Sequence, residues 1–284
     1  MAEERDPLRV GICQLAAGDD RATNLARACE LLREAAAGGA QVVVLPELFE
    51  TPYFPATIDD AHFALAQPRD DSDAVRAIAP LCAELSIAVP VSIFERDGAR
   101  HYNTVVMIDA DGEVLGHYRK THIPDGAGYQ EKHYFSAGDT GYRVFETRHG
   151  RVGVGICWDQ WFPECARALT LQGAELLCYP SAIGSEPERT DVQTCAPWRR
   201  VMVGHAVANT VPIAAANRTG DEAGQHFYGS GFICDQWGSV LAELPDGQQG
   251  VAVVELDRNA VARDRQWMGL LRDRRPNTYT KLTE

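Results

Sequence analysis

Hydrophobic and polar positions along the first third of the chain follow two alternating patterns. Short apolar runs predict β-strands at residues 8–15, 41–45 and 87–94. Between them, apolar residues at helical spacing predict α-helices at residues 24–37 and 73–85. Strands that alternate with helices in this way indicate a layered α/β fold.

A second pattern, strand–turn–strand, follows this opening. Residues 109–112 (Asp-Ala-Asp-Gly) form a turn signal between two apolar strands, and His149-Gly150 forms another. The elements predicted after residue 100 are strands at 103–108, 113–118, 142–147 and 151–157, a helix at 163–171, a strand at 175–179, a helix at 192–209 and a strand at 211–216.

One strand–turn–strand segment resembles another in sequence. Residues 104–115 and 230–241 each contain an apolar strand, an Asp-x-x-Gly turn and a returning strand. Two halves of similar layout predict internal pseudo-two-fold symmetry. The chain has no low-complexity linker, so residues 1–284 are interpreted as one domain, with the charged segment 258–284 as an extended C-terminal arm.

Composition and charge exclude several functional classes. A net charge of -13 disfavours nucleic-acid binding, because a basic surface is needed to neutralise phosphates. A membrane span needs about 18 consecutive apolar residues, which the sequence does not contain. The first residues are polar and acidic, unlike a secretory signal, and the eight cysteines are dispersed. We therefore expect a cytoplasmic protein with reduced thiols.

Three reactive or charged side chains follow the ends of predicted strands. Cys157 lies between a strand and a helix that begins at Pro163, where a cysteine can be accessible and helix-end amides lower the thiol pKa. Glu47 follows a buried strand directly, and Lys120 stands where a returning strand ends. Taken singly, Cys157 also fits a small core residue, Glu47 a helix cap and Lys120 a solvated edge residue.

In combination, the segments around these residues resemble the nitrilase (carbon–nitrogen hydrolase) superfamily. The matching motifs stand in the family's order: Leu45-Pro-Glu47, Arg119-Lys120-Thr121-His122-Ile123-Pro124 and Gly155-Ile156-Cys157-Trp158-Asp159. Residues 131–139 and 162–167 also match. The resemblance implies an α/β fold of four layers, an α-β-β-α sandwich, and it agrees with the pseudo-two-fold symmetry predicted above. It further implies a homodimer or a higher homo-oligomer.

The resemblance implies a catalytic triad of Glu47, Lys120 and Cys157. A ureido or amide carbonyl is a weak electrophile, so a cysteine nucleophile divides its hydrolysis into two easier steps. Glu47 would act as the general base and acid, while Lys120 and the backbone N–H of Trp158 would stabilise the oxyanion. Glu131 resembles the additional glutamate that the family places beside the triad. No metal or cofactor is expected, because the zinc and nucleotide-binding motifs are missing from the sequence.

Acidic residues near the expected pocket predict a small ureido substrate that carries an amine. No arginine stands directly after Cys157, where relatives that act on carbamoyl amino acids have arginines, so a substrate carboxylate is disfavoured. Carboxylates can face a substrate ammonium, and aromatic rings can line its alkyl chain. The alternative is that the acidic run 186–191 is a solvated loop. The predicted substrate-binding residues are Tyr53, Asp125, Tyr129, Trp161, Ser181, Glu186 and Asp191.

Three longer stretches, residues 120–132, 157–164 and 179–187, resemble the branch of the superfamily that acts on N-carbamoylputrescine. That resemblance implies hydrolysis to putrescine, carbon dioxide and ammonia, a reaction of polyamine synthesis, through a covalent intermediate of the thioester type. The alternatives are an amidase for another small amide, such as an ω-amidase or a ureidopropionase, and a catalytically silent binding protein. The sequence leaves open which carboxylate binds the ammonium and which nitrogen leaves first.

Overall fold

A computed structural model of the chain describes residues 5–222 and 224–283. Its strands are β1 (Leu8–Gln14), β2 (Val42–Val44), β3 (Val89–Asp97), β4 (Arg100–Ile108), β5 (Val114–Arg119), β6 (Arg143–Thr147), β7 (Gly150–Val154), β8 (Leu176–Pro180), β9 (Ile213–Ala216), β10 (Thr219–Glu222), β11 (Gln225–Tyr228), β12 (Phe232–Cys234), β13 (Val240–Glu243) and β14 (Gly250–Leu256). Its α-helices are α1 (Arg21–Ala37), α2 (Asp73–Leu85), α3 (Glu131–Tyr134), α4 (Pro163–Leu171), α5 (Cys195–Asn209) and α6 (Arg258–Met268). Short 3-10 helices occupy Phe54–Ala56, Asp60–Leu65, Arg69–Asp71, Cys157–Trp161, Pro276–Thr278 and Thr280–Thr283.

Two sheets face each other, and helices cover the outer face of each. In the first sheet the strand order is β14-β1-β2 followed by β3-β4-β5, and a parallel bridge between Val42 and Ala88 links the two groups. In the second sheet the order is β13-β12-β9-β8-β7-β6. Helices α1 and α2 pack on the first sheet, and α4 and α5 pack on the second. The α-β-β-α sandwich expected from the sequence is therefore confirmed.

The two sheets share one pattern of strand directions. From β14 inward, successive neighbours are antiparallel, parallel, parallel, antiparallel and antiparallel. From β6 inward, the second sheet repeats this pattern. The β4–β5 hairpin therefore corresponds to the β12–β13 hairpin, and these are the two segments whose sequences are alike. The predicted pseudo-two-fold symmetry is present in the topology.

The apolar run of β2 shows how the layers are filled. Successive side chains of a strand point to opposite faces. Val42 and Val44 pack in the cluster that contains Val154 of β7, and Val43 packs in the cluster that contains Leu32 of α1. A strand buried on both faces reads as a continuous apolar run, which explains the Val-Val-Val sequence. Glu47, the first polar residue after this run, therefore lies at the end of the sandwich.

The C-terminal segment departs from the extended conformation that the sequence predicted. Residues Arg258–Met268 form helix α6, with Asp257 as its N-cap accepting from the N–H groups of Asn259 and Ala260, and with Gly269 (φ 64°) ending it. The helix carries one buried side chain, Val261, so it lacks the apolar stripe by which an amphipathic helix is recognised. Within the described ranges, no helix has the length and apolar character needed to span a membrane.

Candidate active site

Three loops at one end of the sandwich bring the predicted triad together. Glu47 follows β2, Lys120 follows β5, and Cys157 follows β7. Nζ of Lys120 lies 2.8 Å from Oε1 of Glu47, and the charges of both residues act on the Cys157 thiol. The backbone N–H of Glu47 donates to the carbonyl of Ser181 at 3.2 Å, which joins the loop after β2 to the loop after β8.

Lys120 lies between two buried glutamates. Its Nζ donates to Oε1 of Glu47 and, at 2.7 Å, to Oε2 of Glu131, and all three side chains are buried. The other oxygen of Glu131 accepts from the hydroxyl of Tyr53 at 2.6 Å. Burial alone lowers the pKa of a lysine, but the carboxylates of Glu131 and Glu47 outweigh it and raise the pKa of Lys120. The site therefore contains a permanent ammonium group.

The two carboxylate oxygens of Glu47 have different surroundings. Oε1 accepts from Lys120 and from Nδ2 of Asn103 at 2.7 Å. Oε2 is buried and has no hydrogen-bond partner among the described residues. A buried carboxylate oxygen without a donor is costly to maintain. Oε2 is therefore the oxygen of Glu47 that is left free to accept a further hydrogen bond.

Cys157 begins a 3-10 helix with its backbone in the left-handed region, at φ 42°. This conformation costs a non-glycine residue about 1–3 kcal/mol and is characteristic of functional sites. The side chain is 4% exposed, and Sγ lies 3.8 Å from the carbonyl oxygen of Ala182. Burial and the charge of Glu47 raise the pKa of the thiol, and Lys120 opposes them. The pKa of the Cys157 thiol in the unliganded site is therefore raised, opposite to the lowering that the sequence predicted.

Asp159 holds the start of this 3-10 helix in place. Its Oδ2 accepts from the N–H of Ile156 at 2.9 Å and from the hydroxyl of Tyr118 at 2.7 Å. Its Oδ1 accepts from the backbone N–H of His122 at 3.0 Å and lies 2.8 Å from Nδ1 of that ring. Asp159 thus ties the residue before Cys157 to the end of β5, from which Lys120 emerges.

A cavity of about 250 Å³ opens above the sulfur. Cys157 and Trp158 form its floor, and the loops after β5 and β8 form its sides. Among the described residues, no group of three or more histidine, cysteine, aspartate or glutamate side chains is placed to bind a metal ion. The lining residues are Pro124, Asp125, Gly126, Ala127, Tyr129, Cys157, Trp158, Ile183, Glu186, Glu188 and Arg189.

Three of the predicted substrate-binding residues line this cavity, namely Asp125, Tyr129 and Glu186. Glu186 is half-buried, and burial raises the pKa of its carboxyl group. The hydroxyl of Tyr129 accepts from the backbone N–H of Gly184 at 2.9 Å, which ties the two sides of the cavity together. An acidic and aromatic wall therefore faces the sulfur.

The other four predicted residues lie around the cavity rather than on its surface. Tyr53 is buried behind the site against Glu131, and the Ser181 hydroxyl donates to Oε1 of Gln160 at 2.9 Å. Trp161 packs 6.2 Å from Trp158, measured between ring centroids. The list is completed by Asp191, whose carboxylate binds the guanidinium of Arg189 at 2.9 and 3.0 Å.

Sequence reasoning missed three residues that shape the site. Asn103 is a buried amide inside the apolar strand β4, and Asp159 is a buried acid two residues after the sulfur. A polar residue inside an apolar strand is a usable signal, because buried polar groups need partners. Arg189 gave no such signal, since it lies in a charged loop.

Comparison with known proteins identifies the family. The carbon–nitrogen hydrolase family profile matches residues 9–266. The chain is 47% identical over 281 residues to an N-carbamoylputrescine amidase of Arabidopsis thaliana, covering 96% of this chain and 94% of that one. It is 44% identical over 279 residues to a citrullinase of Francisella tularensis, covering 97% and 98%. A carbon–nitrogen hydrolase crystal structure from Helicobacter pylori G27 matches with a TM-score of 0.92 at 32% identity, covering 98% of this chain and 99% of that chain. The chain belongs to the carbon–nitrogen hydrolase family.

Proposed function

We propose that this enzyme hydrolyses N-carbamoylputrescine to putrescine, carbon dioxide and ammonia. The observation that carries the proposal is the composition of the cavity wall above Cys157. Asp125, Glu186 and Glu188 line it, so the pocket suits a substrate with a ureido group at one end and an ammonium at the other. The similarity to an N-carbamoylputrescine amidase, over nearly the whole of both chains, supports the same substrate.

In the first half of the reaction Cys157 is the nucleophile. Because burial and the charge of Glu47 raise the pKa of its thiol, the proton must leave as the sulfur attacks the ureido carbon. We assign proton acceptance to Oε2 of Glu47, the unpaired buried oxygen. Glu47 then gives this proton to the departing nitrogen, the C–N bond breaks, and a thioester-type carbamoyl–cysteine intermediate remains.

The carbonyl oxygen becomes negatively charged during this attack. Lys120 supplies a buried positive charge, and the backbone N–H of Trp158 is assigned as the second donor. Glu131 keeps Lys120 charged and is itself held by the Tyr53 hydroxyl. Because these donors are fixed before the substrate arrives, little reorganisation is needed as charge develops.

In the second half of the reaction water releases the intermediate. Glu47 takes a proton from water, the hydroxide adds to the thioester carbon, and the C–S bond breaks with the proton returning to Cys157. The resulting carbamic acid decomposes to carbon dioxide and the second nitrogen product, which is putrescine if ammonia left first and ammonia if putrescine left first. Whichever nitrogen leaves first, the sum is one water consumed per putrescine, ammonia and carbon dioxide formed.

We assign the distal ammonium of the substrate chiefly to Glu186, the half-buried acid of the cavity wall. A partly desolvated carboxylate binds a cation more strongly than a fully solvated one. Glu186→Gln should therefore raise the KM for N-carbamoylputrescine about tenfold, a loss typical of one charge-assisted hydrogen bond. Asp125→Asn is the matched variant at the exposed side of the cavity, with a smaller expected rise.

The decisive experiment incubates the purified protein with N-carbamoylputrescine and measures ammonia and putrescine. Equal amounts of both products, absent with Cys157→Ser, are expected. Carbamoyl-β-alanine and a short dicarboxylic acid monoamide serve as competing substrates, because they carry a carboxylate in place of the ammonium. Prompt ammonia release from either of these, with N-carbamoylputrescine left intact, contradicts the proposal.

Citrulline is the second candidate substrate, and one observation favours it. Arg189 lines the cavity beside Glu186, so a cation is available there for a substrate carboxylate. Citrulline has the same ureido end and carries both an ammonium and a carboxylate at the other. The similarity to a citrullinase supports including it in the substrate panel.

We further propose that the enzyme works in the cytoplasm as a homodimer or a higher homo-oligomer. All eight cysteines are free, six of them buried, which suits a reducing compartment. Leu171 of α4 and Val207 of α5 expose apolar surface on the outer helices, at 45% and 37%. Sedimentation velocity at several protein concentrations tests the assembly, and a monomer at every concentration contradicts it.

A further inference from the structure

Two consecutive residues after β9, Asn217 and Arg218, lie at the centre of the site without touching the cavity. Both side chains are completely buried. An arginine is seldom fully buried unless it is paired, and its planar group carries five N–H donors in a fixed geometry. The partners of these donors therefore indicate what the residue does.

Arg218 binds the backbone of the loop that carries Glu47. Its Nε donates to the carbonyl of Glu47 at 3.1 Å. Its Nη2 donates to the carbonyls of Leu48 and, at 2.9 Å, of Thr51. The remaining nitrogen, Nη1, pairs with both carboxylate oxygens of Glu222 at 2.8 and 3.1 Å. One guanidinium thus binds three carbonyls of this buried loop, those of Glu47, Leu48 and Thr51.

The loop needs such a partner because its backbone is strained. Leu48, the residue after Glu47, has φ 49°, a conformation that a non-glycine residue keeps only when its surroundings enforce it. Its N–H is fixed by the hydroxyl of Ser92 at 3.0 Å, and its carbonyl by Arg218. Glu222 also accepts from the N–H of Tyr53 at 2.7 Å. The segment from Glu47 to Tyr53 is therefore held at both ends.

Asn217 makes the corresponding contacts on the cysteine side. Its amide accepts from the N–H of Ile183 and donates to the Ile183 carbonyl, both at 2.9 Å, and it also donates to the carbonyl of Gly229 at 2.8 Å. Ile183 lines the cavity and follows Ala182, whose carbonyl receives the Cys157 thiol. One dipeptide therefore holds the loop of the proton acceptor and the loop beneath the nucleophile.

We infer that Asn217 and Arg218, with Glu222, form a positioning clamp that sets the carboxylate of Glu47 relative to the sulfur of Cys157. They do not contact the reacting atoms. They act through the backbone of the two loops. A displacement of a catalytic group by about 1 Å can lower the rate about 100-fold, even when the mutation lies away from the reacting atoms. The inference rests on the proposed function for its substrate and on Glu47 as the proton carrier.

The test is Arg218→Lys. Lysine keeps the positive charge beside Glu222, but its compact ammonium cannot reach three carbonyls in the directions of the guanidinium donors. We expect kcat for N-carbamoylputrescine to fall about 100-fold while KM stays within about threefold, because the cavity wall is untouched. A general loss of folding would lower the active fraction and the melting temperature instead. The melting temperature and the folded fraction, both measured by circular dichroism, therefore normalise kcat to folded enzyme.

Arg265→Lys is the matched control. Arg265 of α6 also donates to loop carbonyls, those of Ala174 at 3.1 Å and Thr210 at 3.2 Å. Thr210 is likewise a non-glycine residue in the left-handed region, at φ 49°. These contacts lie at the opposite end of β8 from the site. Arg265→Lys should lose a comparable amount of thermal stability while its kcat remains within about threefold of the wild type.

Equal kcat values in the Arg218→Lys and Arg265→Lys variants overturn the clamp. If Arg218→Lys does not fold, Glu222→Gln decides: a kcat loss of about tenfold at constant KM supports the clamp, and an unchanged kcat overturns it. A wild-type enzyme inactive on N-carbamoylputrescine contradicts the proposed function instead. In that case kcat of Arg218→Lys and Arg265→Lys is compared with citrulline as the substrate. A wrong substrate assignment is thereby distinguished from a wrong clamp assignment.

Discussion

The ammonium of Lys120 lies 2.8 Å from Oε1 of Glu47, in a site where both side chains are buried. The two charges act on the same thiol in opposite directions: Glu47 raises the pKa of Cys157, and Lys120 lowers it. Together with burial, the balance favours the neutral thiol. A raised thiol pKa means that the sulfur must lose its proton in the course of the reaction.

This opposition predicts how two variants change the titration of Cys157. Glu47→Gln removes a negative charge, so the thiol pKa should fall, whereas Lys120→Met removes a positive charge and should raise it. Both variants should lose at least about 100-fold in kcat, since each removes a group required for the reaction. Thiolate absorbance against pH, as the difference from Cys157→Ser, measures the titration.

The Cys157→Ser difference is needed because seven other cysteines contribute to the absorbance, and Cys13 and Cys178 are fully buried. Their contribution cancels in the subtraction. A shift in the same direction for Glu47→Gln and Lys120→Met contradicts the electrostatic assignment. It would mean that loss of packing, rather than charge, controls the thiol.

The sequence predicted the frame of this site because the motif residues stand immediately after strands. Glu47 follows β2 and Lys120 follows β5, and the pairing of strands leaves little freedom in where such residues lie. The boundaries of α2 and α4 were predicted to the residue, since both helices have a clear apolar face and a defined start. The apolar pattern of the sequence is sufficient to predict a residue's position where burial and secondary structure determine it.

The contacts that complete the site could not be predicted in this way. Arg218 and Glu222 belong to a segment that continues into the hairpin β10–β11, and their partners lie about 170 residues earlier in the chain. The carboxylate of Asp191 was expected at the substrate, but in the structure it binds Arg189. Such pairings depend on loop conformation, which apolar periodicity does not encode. The assignment of substrate contacts stays a prediction.

Asp159 should contribute more to stability than its single charge suggests. Its two oxygens accept from Ile156, Tyr118 and His122 in a fully buried position. Asp159→Asn leaves an amide nitrogen facing donors, so we expect the free energy of unfolding to fall by about 3 kcal/mol. Urea denaturation measures it.

The control for this variant is Asp235→Asn. Oδ1 of Asp235 accepts from the N–H groups of Trp237 and Ser239 in the exposed turn between β12 and β13, and an amide oxygen can keep both bonds. Its expected loss is below about 0.5 kcal/mol. Equal losses of unfolding free energy in the two variants would show that the buried hydrogen bonds of Asp159 stabilise the fold no more than the exposed ones of Asp235.

Glu50 should make the stability of the enzyme depend on pH. Burial raises its pKa from 4.5 to about 7, although Arg21, at 3.8 Å, opposes the shift. The folded state then binds more protons than the unfolded state between these pH values. The contribution of Glu50 to the free energy of unfolding is fully present below about pH 4.5 and is lost as the pH rises through about 7.

Glu50→Gln removes this dependence. From pH 5 to pH 8 the variant should gain roughly 2 to 3 kcal/mol relative to the wild type, as a shift of this size implies. Urea denaturation across this range provides the measurement. Glu30→Gln, which removes an exposed carboxylate of α1, controls for the change in net charge. A difference between Glu50→Gln and the wild type that is constant with pH contradicts the prediction.

Arg189 and Asp191 should decide between the two candidate substrates. Arg189 lines the cavity, but its guanidinium is held by Asp191, and both side chains are largely exposed. An exposed pair of this kind contributes only about 0.2–1 kcal/mol, so a substrate carboxylate can compete for the arginine. If citrulline binds here, Asp191 is expected to compete with its carboxylate for Arg189, whereas N-carbamoylputrescine has no carboxylate for Arg189 to bind.

Asp191→Asn should therefore raise kcat/KM for citrulline about threefold to fivefold, because breaking the ion pair frees Arg189. The same variant should leave kcat/KM for N-carbamoylputrescine within about twofold of the wild type. Arg189→Ala should lower kcat/KM for citrulline and, by removing a cation near the substrate ammonium, should preserve or raise that for N-carbamoylputrescine. Arg27→Ala, on the exposed surface of α1, controls for net charge. Both substrates are assayed by ammonia release. If the two site variants change kcat/KM for both substrates by equal factors, Arg189 does not bind the carboxylate of citrulline, and substrate selection must lie with the acids of the cavity, Asp125, Glu186 and Glu188.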